Sequence, residues 1–162
     1  MIIFTRIDDR VIHGQTLVCW LSDYPCDGIL IIDDELAKNS VMAEIYKGAV
    51  PANIRVHVFD IATARTKLPE AHASAKKYFV IFKSVLSCLK VLDVIAPLIN
   101  VTNVGPASKR PDTKEIVPTI ALDKQEIEAY REIHKAGIKI FFQIIPTQKK
   151  VLWNELDKSI TG

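Results

Sequence analysis

Short apolar runs recur along this chain, separated by segments of helical period. The runs are Ile2 to Ile7, Ile29 to Asp33, Ile54 to Phe59, Tyr78 to Phe82, Ile99 to Val104 and Ile138 to Ile144. Several are continuous Val/Ile/Phe stretches, the pattern of strands buried on both faces, and such strands belong in a parallel sheet covered by helices. The alternation predicts an α/β fold: a single domain with an open, mostly parallel twisted sheet, helices on both faces and right-handed crossovers. With 162 residues, 49% of them hydrophobic, the chain can bury one full core, so one domain over 1–162 is expected.

The helical segments carry their own punctuation. Asn39 or Ser40 can cap a helix through Lys47, stopped by Gly48 and Pro51. Ser84 can cap another, with Val85, Cys88, Leu89 and Leu92 on one face and Pro97 at its end. The clearest helix runs from Asp123 to Gly137. Asp123 and Glu126 have the spacing of a capping box, Leu122 and Ile127 that of a hydrophobic staple, and Gly137 suits the C′ position. Gly105 to Glu115, polar and broken by two prolines, reads as a long loop.

Charge and cysteine content narrow the function classes. The formal charge of +2 from 21 basic and 19 acidic residues is too balanced for a nucleic-acid partner. Cys19, Cys26 and Cys88 are odd in number and lack CxxC spacing, so they read as reduced thiols packed as small hydrophobes, not as a disulfide framework or metal site. Arg6 and Asp8 come too early for a signal peptide, and no apolar run approaches the roughly 20 residues that span a bilayer. A cytoplasmic location without direct membrane insertion is expected.

The chemistry concentrates in RIDDRVIHGQ, Arg6 to Gln15, at the end of the first strand. In open parallel sheets, ligands bind beyond the carboxyl ends of the strands. His13-Gly14 there precedes a helix containing Leu17, Trp20 and Leu21, whose first amides favour an anion. A neutral imidazole, with a reference pKa of about 6.5, offers a ring nitrogen able to attack phosphorus at neutral pH. Arg10 would bind the transferred group through its fork of donors. Asp8 or Asp9 would orient the imidazole or hold Arg10. On spacing alone, a structural ion-pair cluster at a strand end is the favoured reading of these residues.

RIDDRVIHGQ resembles the active-site signature of the IIB components of the mannose, fructose and sorbose family of the phosphoenolpyruvate-dependent sugar phosphotransferase system. Arg6, Asp8, Asp9, Arg10, Ile12, His13, Gly14 and Gln15 fit its pattern, as does Trp20. Asp33-Asp34 after the second strand, INVTNVG from Ile99 to Gly105, AGIKIFFQIIP from Ala136 to Pro146, and the total length extend the likeness over the whole chain. The resemblance implies that His13 takes a phosphoryl group on Nδ1 from a phosphohistidine of a IIA domain. His13 would pass it to a sugar held by membrane IIC and IID components, which would recruit the chain to the inner face of the membrane. It implies no metal or organic cofactor, with Arg10 and backbone amides serving where a cation serves nucleotide-dependent kinases. Asp8, Asp9, Gly14 and Gln15 would shape the phosphate loop. In one departure, Pro106 stands where the family commonly has a second glycine, and proline offers no N–H to a phosphate.

Arg6, Lys83, Ser84, Asn103 and Gly105 are further candidates. Lys83 and Ser84 close a strand and open a helix, where capping alone explains Ser84; Asn103 and Gly105 enter through the resemblance, with a tight turn as the plain alternative. His57, His72 and His134 read as structural or surface groups, Trp20 as a core contact, and Lys109-Arg110 and Lys149-Lys150 as solvated charges. A site serving another protein's phosphohistidine is expected to be flat and open. Two other classes fit the fold: a phosphatase that uses His13 and loses phosphate to water, and a small metabolite- or nucleotide-binding module. The first lacks a convincing catalytic acid beyond Asp8 and Asp9, and the second lacks GxGxxG and GxxxxGK[ST] in the first loop.

Overall fold

The computed structural model describes residues 1–161. In chain order the elements are β1 (Ile2–Ile7), α1 (Gly14–Asp23), β2 (Gly28–Ile32), α2 (Asp34–Ala37), α3 (Ser40–Gly48) and β3 (Arg55–Phe59). There follow α4 (Ile61–Ala73), β4 (Tyr78–Phe82), α5 (Val85–Leu89), α6 (Leu92–Ile95) and β5 (Val101–Val104). The chain finishes with β6 (Lys114–Val117), β7 (Ile120–Leu122), α7 (Lys124–Lys135), β8 (Lys139–Phe142), β9 (Val151–Leu152) and α8 (Trp153–Thr161).

Seven strands form one sheet in the order β3-β2-β4-β1-β5-β8-β9, parallel except for the β8–β9 pair. Each of the six apolar runs supplies one of its strands, and the most continuous, β2, is buried along its whole length. Two apolar layers sandwich the sheet. Leu17 and Trp20 of α1, Leu36 of α2 and Tyr46 of α3 pack on one face. Helices α4 to α8 cover the other through residues such as Leu68, Cys88, Ile95, Tyr130 and Trp153.

Helix punctuation is observed where the side chains dictate it. The Asn39 side chain accepts from the Met42 amide at 3.0 Å, and Asp123 and Glu126 form a complete capping box. Gly137 has φ +94°, which suits glycine after a helix. Ser84 caps α5 by accepting from the Ser87 amide, but the single helix expected from there to Pro97 is two short ones. The break at Lys90–Val91 lets Cys88, Val91 and Ile95 all reach full burial.

Two expectations need correction. The stretch from Gly105 to Glu115 is not loop throughout: β6 begins at Lys114 and pairs antiparallel with β7 in a separate two-stranded sheet. Nor do all three cysteines pack as small hydrophobes. Cys88 is buried and Cys26 partly so, whereas Cys19 is exposed on α1. Burial pushes the Cys88 thiol up to about 12 and the Cys26 thiol up to about 11. Because the thiolate is the nucleophile, one fast-reacting thiol is expected with a disulfide reagent at pH 8, assigned to Cys19 by mass mapping. Modification of Cys88 before denaturant is added would contradict this core.

Candidate active site

The connection from β1 enters α1 on one face of the sheet, while that from neighbouring β5 leads through α7 on the other. Loops that leave adjacent strands toward opposite faces open a crevice at the strands' carboxyl ends. Residues 8–13 lie there.

The crevice is organised around a buried ion pair. Arg6 and Asp8 are each 2% exposed, with Arg6 Nε donating to Asp8 Oδ2 at 3.0 Å and Nη2 lying 2.9 Å from the same oxygen. Arg6 Nη1 also donates to Asn103 Oδ1 and to the Gln143 carbonyl, and Nη2 donates to the Ile144 carbonyl. The guanidinium carbon lies 5.4 Å from the Trp20 ring centre, and Trp20 Nε1 donates to the Ile144 carbonyl at 2.8 Å. Burial holds Arg6 below its ordinary value despite Asp8, and pushes the Asp8 carboxyl above its ordinary range despite Arg6 and Arg10. Every donor group of this arginine is therefore turned inward, and Arg6 supports the site from beneath without reaching its surface.

Gly105 makes room for this pair. A Cβ there would meet Arg6 Nη2, and would lie 2.8 Å from Arg6 Cζ and 2.7 Å from Asp8 Oδ2. Asn103 sits in β5 and donates Nδ2 to the Gln143 carbonyl at 3.0 Å. Neither residue forms a tight turn: Asn103 is a hydrogen-bonding bridge and Gly105 a point of close approach.

Above the pair, Asp8 shapes the loop. Its Oδ1 accepts from the Arg10 amide at 2.9 Å, and its carbonyl accepts from the Val11 amide at 3.1 Å. Val11 has φ +60°, a left-handed conformation that costs a β-branched residue about 1–3 kcal/mol. Its side chain is 2% exposed in the core beside Trp20. Burial of a valine contributes about 1.5–3 kcal/mol, enough to offset the strain. Anchored in this way, the loop leaves Arg10, His13, Gly14 and Gln15 exposed. His13 is the N-cap of α1 with no side-chain cap bond, so its imidazole is free of helix duty and the first-turn amides face outward for an anion.

Asp9 turns the other way. Its Oδ2 accepts from the Ser108 amide at 2.8 Å, while Oδ1 is buried without a partner beside a small cavity shared with Lys83, Ser84 and Arg110. Lys83 and Ser84 are thus gathered behind Asp9, away from the exposed imidazole. Among the described residues neither Asp8 nor Asp9 hydrogen-bonds His13; Asp8 instead holds the backbone of Arg10.

Arg110 is exposed as expected but is not a free charge: Nη2 donates to the nearly buried Glu126 at 2.6 Å and ties the post-β5 loop to α7. Sequence reasoning missed Gln143 and Ile144, whose carbonyls receive Arg6; a lone polar residue inside IKIFFQII was the available signal. A cavity of about 480 Å³, lined in part by β1 and β5, includes neither Arg10 nor His13. His13 stands on an open surface.

Comparison with known proteins bears on this geometry. The model of the sorbose subfamily IIB component of the phosphotransferase system (PTS) matches residues 2–160. The chain belongs to this family. Among solved structures, this IIB component is similar to the IIBSor domain of the sorbose permease from Klebsiella pneumoniae, at 28% identity and TM-score 0.87, covering 99% of this chain and 97% of that one. It is similar also to manxB from Thermoanaerobacter tengcongensis, at 33% identity and TM-score 0.86, covering 99% and 95%. The mannose-specific EIIAB component of Escherichia coli is 23% identical over 155 residues, 96% of this chain and 48% of that protein. Membership places the IIB component in phosphoryl transfer to sugar in the PTS, and among the described residues no helix is long and apolar enough to cross a membrane.

Removing one partner of a buried ion pair leaves an uncompensated charge, at a cost of about 3–5 kcal/mol. Arg6→Met is expected to lose that much in urea denaturation, and Gly105→Ala to be destabilised by forcing Arg6 and Asp8 apart. A loss below about 1 kcal/mol in both, the range of an exposed pair, would contradict the buried arrangement.

Proposed function

We propose that the IIB component is a protein-Npi-phosphohistidine–sugar phosphotransferase with His13 as its covalent acceptor, acting as a single IIB domain over residues 1–162. The observation that carries this reading is the exposed His13 at the start of α1, free of capping, three residues from an exposed arginine whose backbone is fixed by Asp8. A IIA phosphohistidine would present its phosphoryl group to this surface. With the ring proton on Nε2, the His13 Nδ1 lone pair forms a new N–P bond as the N–P bond of a donor protonated on its other ring nitrogen breaks; the donor leaves as neutral imidazole, and phosphorylated His13 carries the matching proton on Nε2. Arg10 and the first amides of α1, Gly14 and Gln15 among them, would take the charge of the phosphoryl oxygens, so the step calls for no metal or organic cofactor.

The second transfer would go to a sugar held by membrane IIC and IID components, which would bring the otherwise cytoplasmic domain to the inner face of the membrane. An open surface supports this, since two different proteins must reach one imidazole in turn. The fused mannose-specific EIIAB relative supports a IIA donor. A phosphatase is less well served: Asp8 is committed to Arg6 and the Arg10 amide, Asp9 Oδ2 accepts from Ser108, and among the described residues neither carboxyl hydrogen-bonds His13.

Incubation with phosphoenolpyruvate, the general PTS proteins and a panel of IIA proteins is expected to add one acid-labile, base-stable phosphoryl group by intact mass. It should be absent in His13→Ala and formed at least about a hundredfold more slowly in Arg10→Ala, the scale of losing one stabilising donor. No labelling across the panel would overturn the proposal.

A further inference from the structure

A second cleft, of about 360 Å³, opens beside Arg10 between the loop after β5 and the β6–β7 hairpin, with Ile144 at its far side. Its frame is preformed. The Ala107 amide donates to the Thr119 carbonyl at 2.9 Å and the Ala121 amide donates back to the Ala107 carbonyl at 3.0 Å, which clamps the loop to the hairpin. The Ile144 carbonyl is held by both Arg6 and Trp20.

The wall has few amides left for an anion. Pro106 has no N–H, the Ala107 amide is taken by Thr119, and the Ser108 amide by Asp9. Anion recognition at this wall falls to side chains, and two cations line the cleft, Arg10 and Lys109. Both are exposed, and neither forms an ion pair among the described residues. Pro106, Ala107 and Ile144 add an apolar lining, and exposed Glu115 sets an opposing charge at the hairpin side. The acidic residues Asp33, Asp34 and Asp60 follow β2 and β3, on the other side of β1 from β5 in the sheet. The positive charge of Arg10 and Lys109 thus lies on the β5 side of the His13 loop.

We infer that this cleft is the socket for an acidic side chain of the phosphoryl-donating IIA protein. The inference rests on the reading of His13 as phosphoryl acceptor: a donor that brings its phosphohistidine within bonding reach of His13 covers Arg10 and the cleft mouth beside it. A carboxylate seated against Lys109 completes the charge pattern while Arg10 is left to the phosphoryl oxygens, and Glu115 repels an acid placed too far toward the hairpin. Charges at the rim of such an interface act chiefly on the association rate and are screened by salt.

The test compares two donors. Phosphoramidate, a small molecule, labels histidine without docking; a phosphorylated IIA protein, the fastest of the sorbose, fructose and mannose systems on the wild type, requires docking. The ratio of their second-order labelling rates is measured for wild type, Lys109→Glu and Glu115→Lys. Lys109→Glu is expected to lower the ratio roughly tenfold and Glu115→Lys to raise it severalfold, both effects shrinking in about 0.5 M salt. Unchanged ratios in both variants, or an effect confined to onward transfer to sugar, would overturn the socket. Failure of phosphoramidate and of every IIA protein to label wild-type His13 would instead overturn the phosphocarrier reading.

Discussion

The buried pair of Arg6 and Asp8 is the contact on which the site depends. Burial of two charges costs several kcal/mol per ion before their mutual attraction is counted, and it is tolerated only where the remaining donors and acceptors are satisfied. In this protein they are. Arg6 reaches a carboxylate, an amide side chain and two main-chain carbonyls drawn from β1, β5 and the segment after β8. Asp8 shares its two oxygens between Arg6 below and the Arg10 amide above. The pair thus joins three strand ends and transmits their rigidity into a loop that would otherwise be free.

That rigidity allows the loop to be exposed and ordered at once. The proposed transfer requires His13 to be open to another protein's phosphohistidine, and an exposed loop without internal anchors samples many conformations. Two anchors resolve the conflict. Asp8 fixes the turn from inside, and Val11, strained at φ +60° but buried beside Trp20, fixes its exit into α1. Between and after these anchors, Arg10 and His13 remain at the surface with their side chains uncommitted to the fold.

Much of this was legible in the sequence, and the reasons differ by element. Short apolar runs identified six of the seven strands of the main sheet, most plainly β2 and β4, where burial on both faces leaves no alternation to misread. The capping box at Asp123 stood out because its two side chains answer each other's amides. The β6–β7 hairpin did not stand out: its strands are three and four residues long, and its turn places Thr119 at φ +71° where Gly or Asn would have given the signal. Strand β9 and helix α8 also passed unread, since a two-residue strand carries no periodicity. In the site, the importance of RIDDRVIHGQ was plain, but not its division into a buried half and an exposed half. Arg6 and Phe4 share one face of β1 and both meet Trp20 there, a meeting that strand periodicity alone does not reveal. Nor does periodicity locate the carbonyl partners of Arg6 at Gln143 and Ile144, which lie 137 and 138 residues away.

Amide hydrogen exchange by NMR tests most directly whether Asp8 holds the His13 loop. The Arg10 and Val11 amides, bonded to the Asp8 carboxylate and carbonyl, should be protected to nearly the degree of the amides of β1 although Arg10 is exposed. Exchange of both at the rate of an unstructured segment would mean that Asp8 does not fix the loop, and would contradict the anchoring of His13 by the buried pair beneath it.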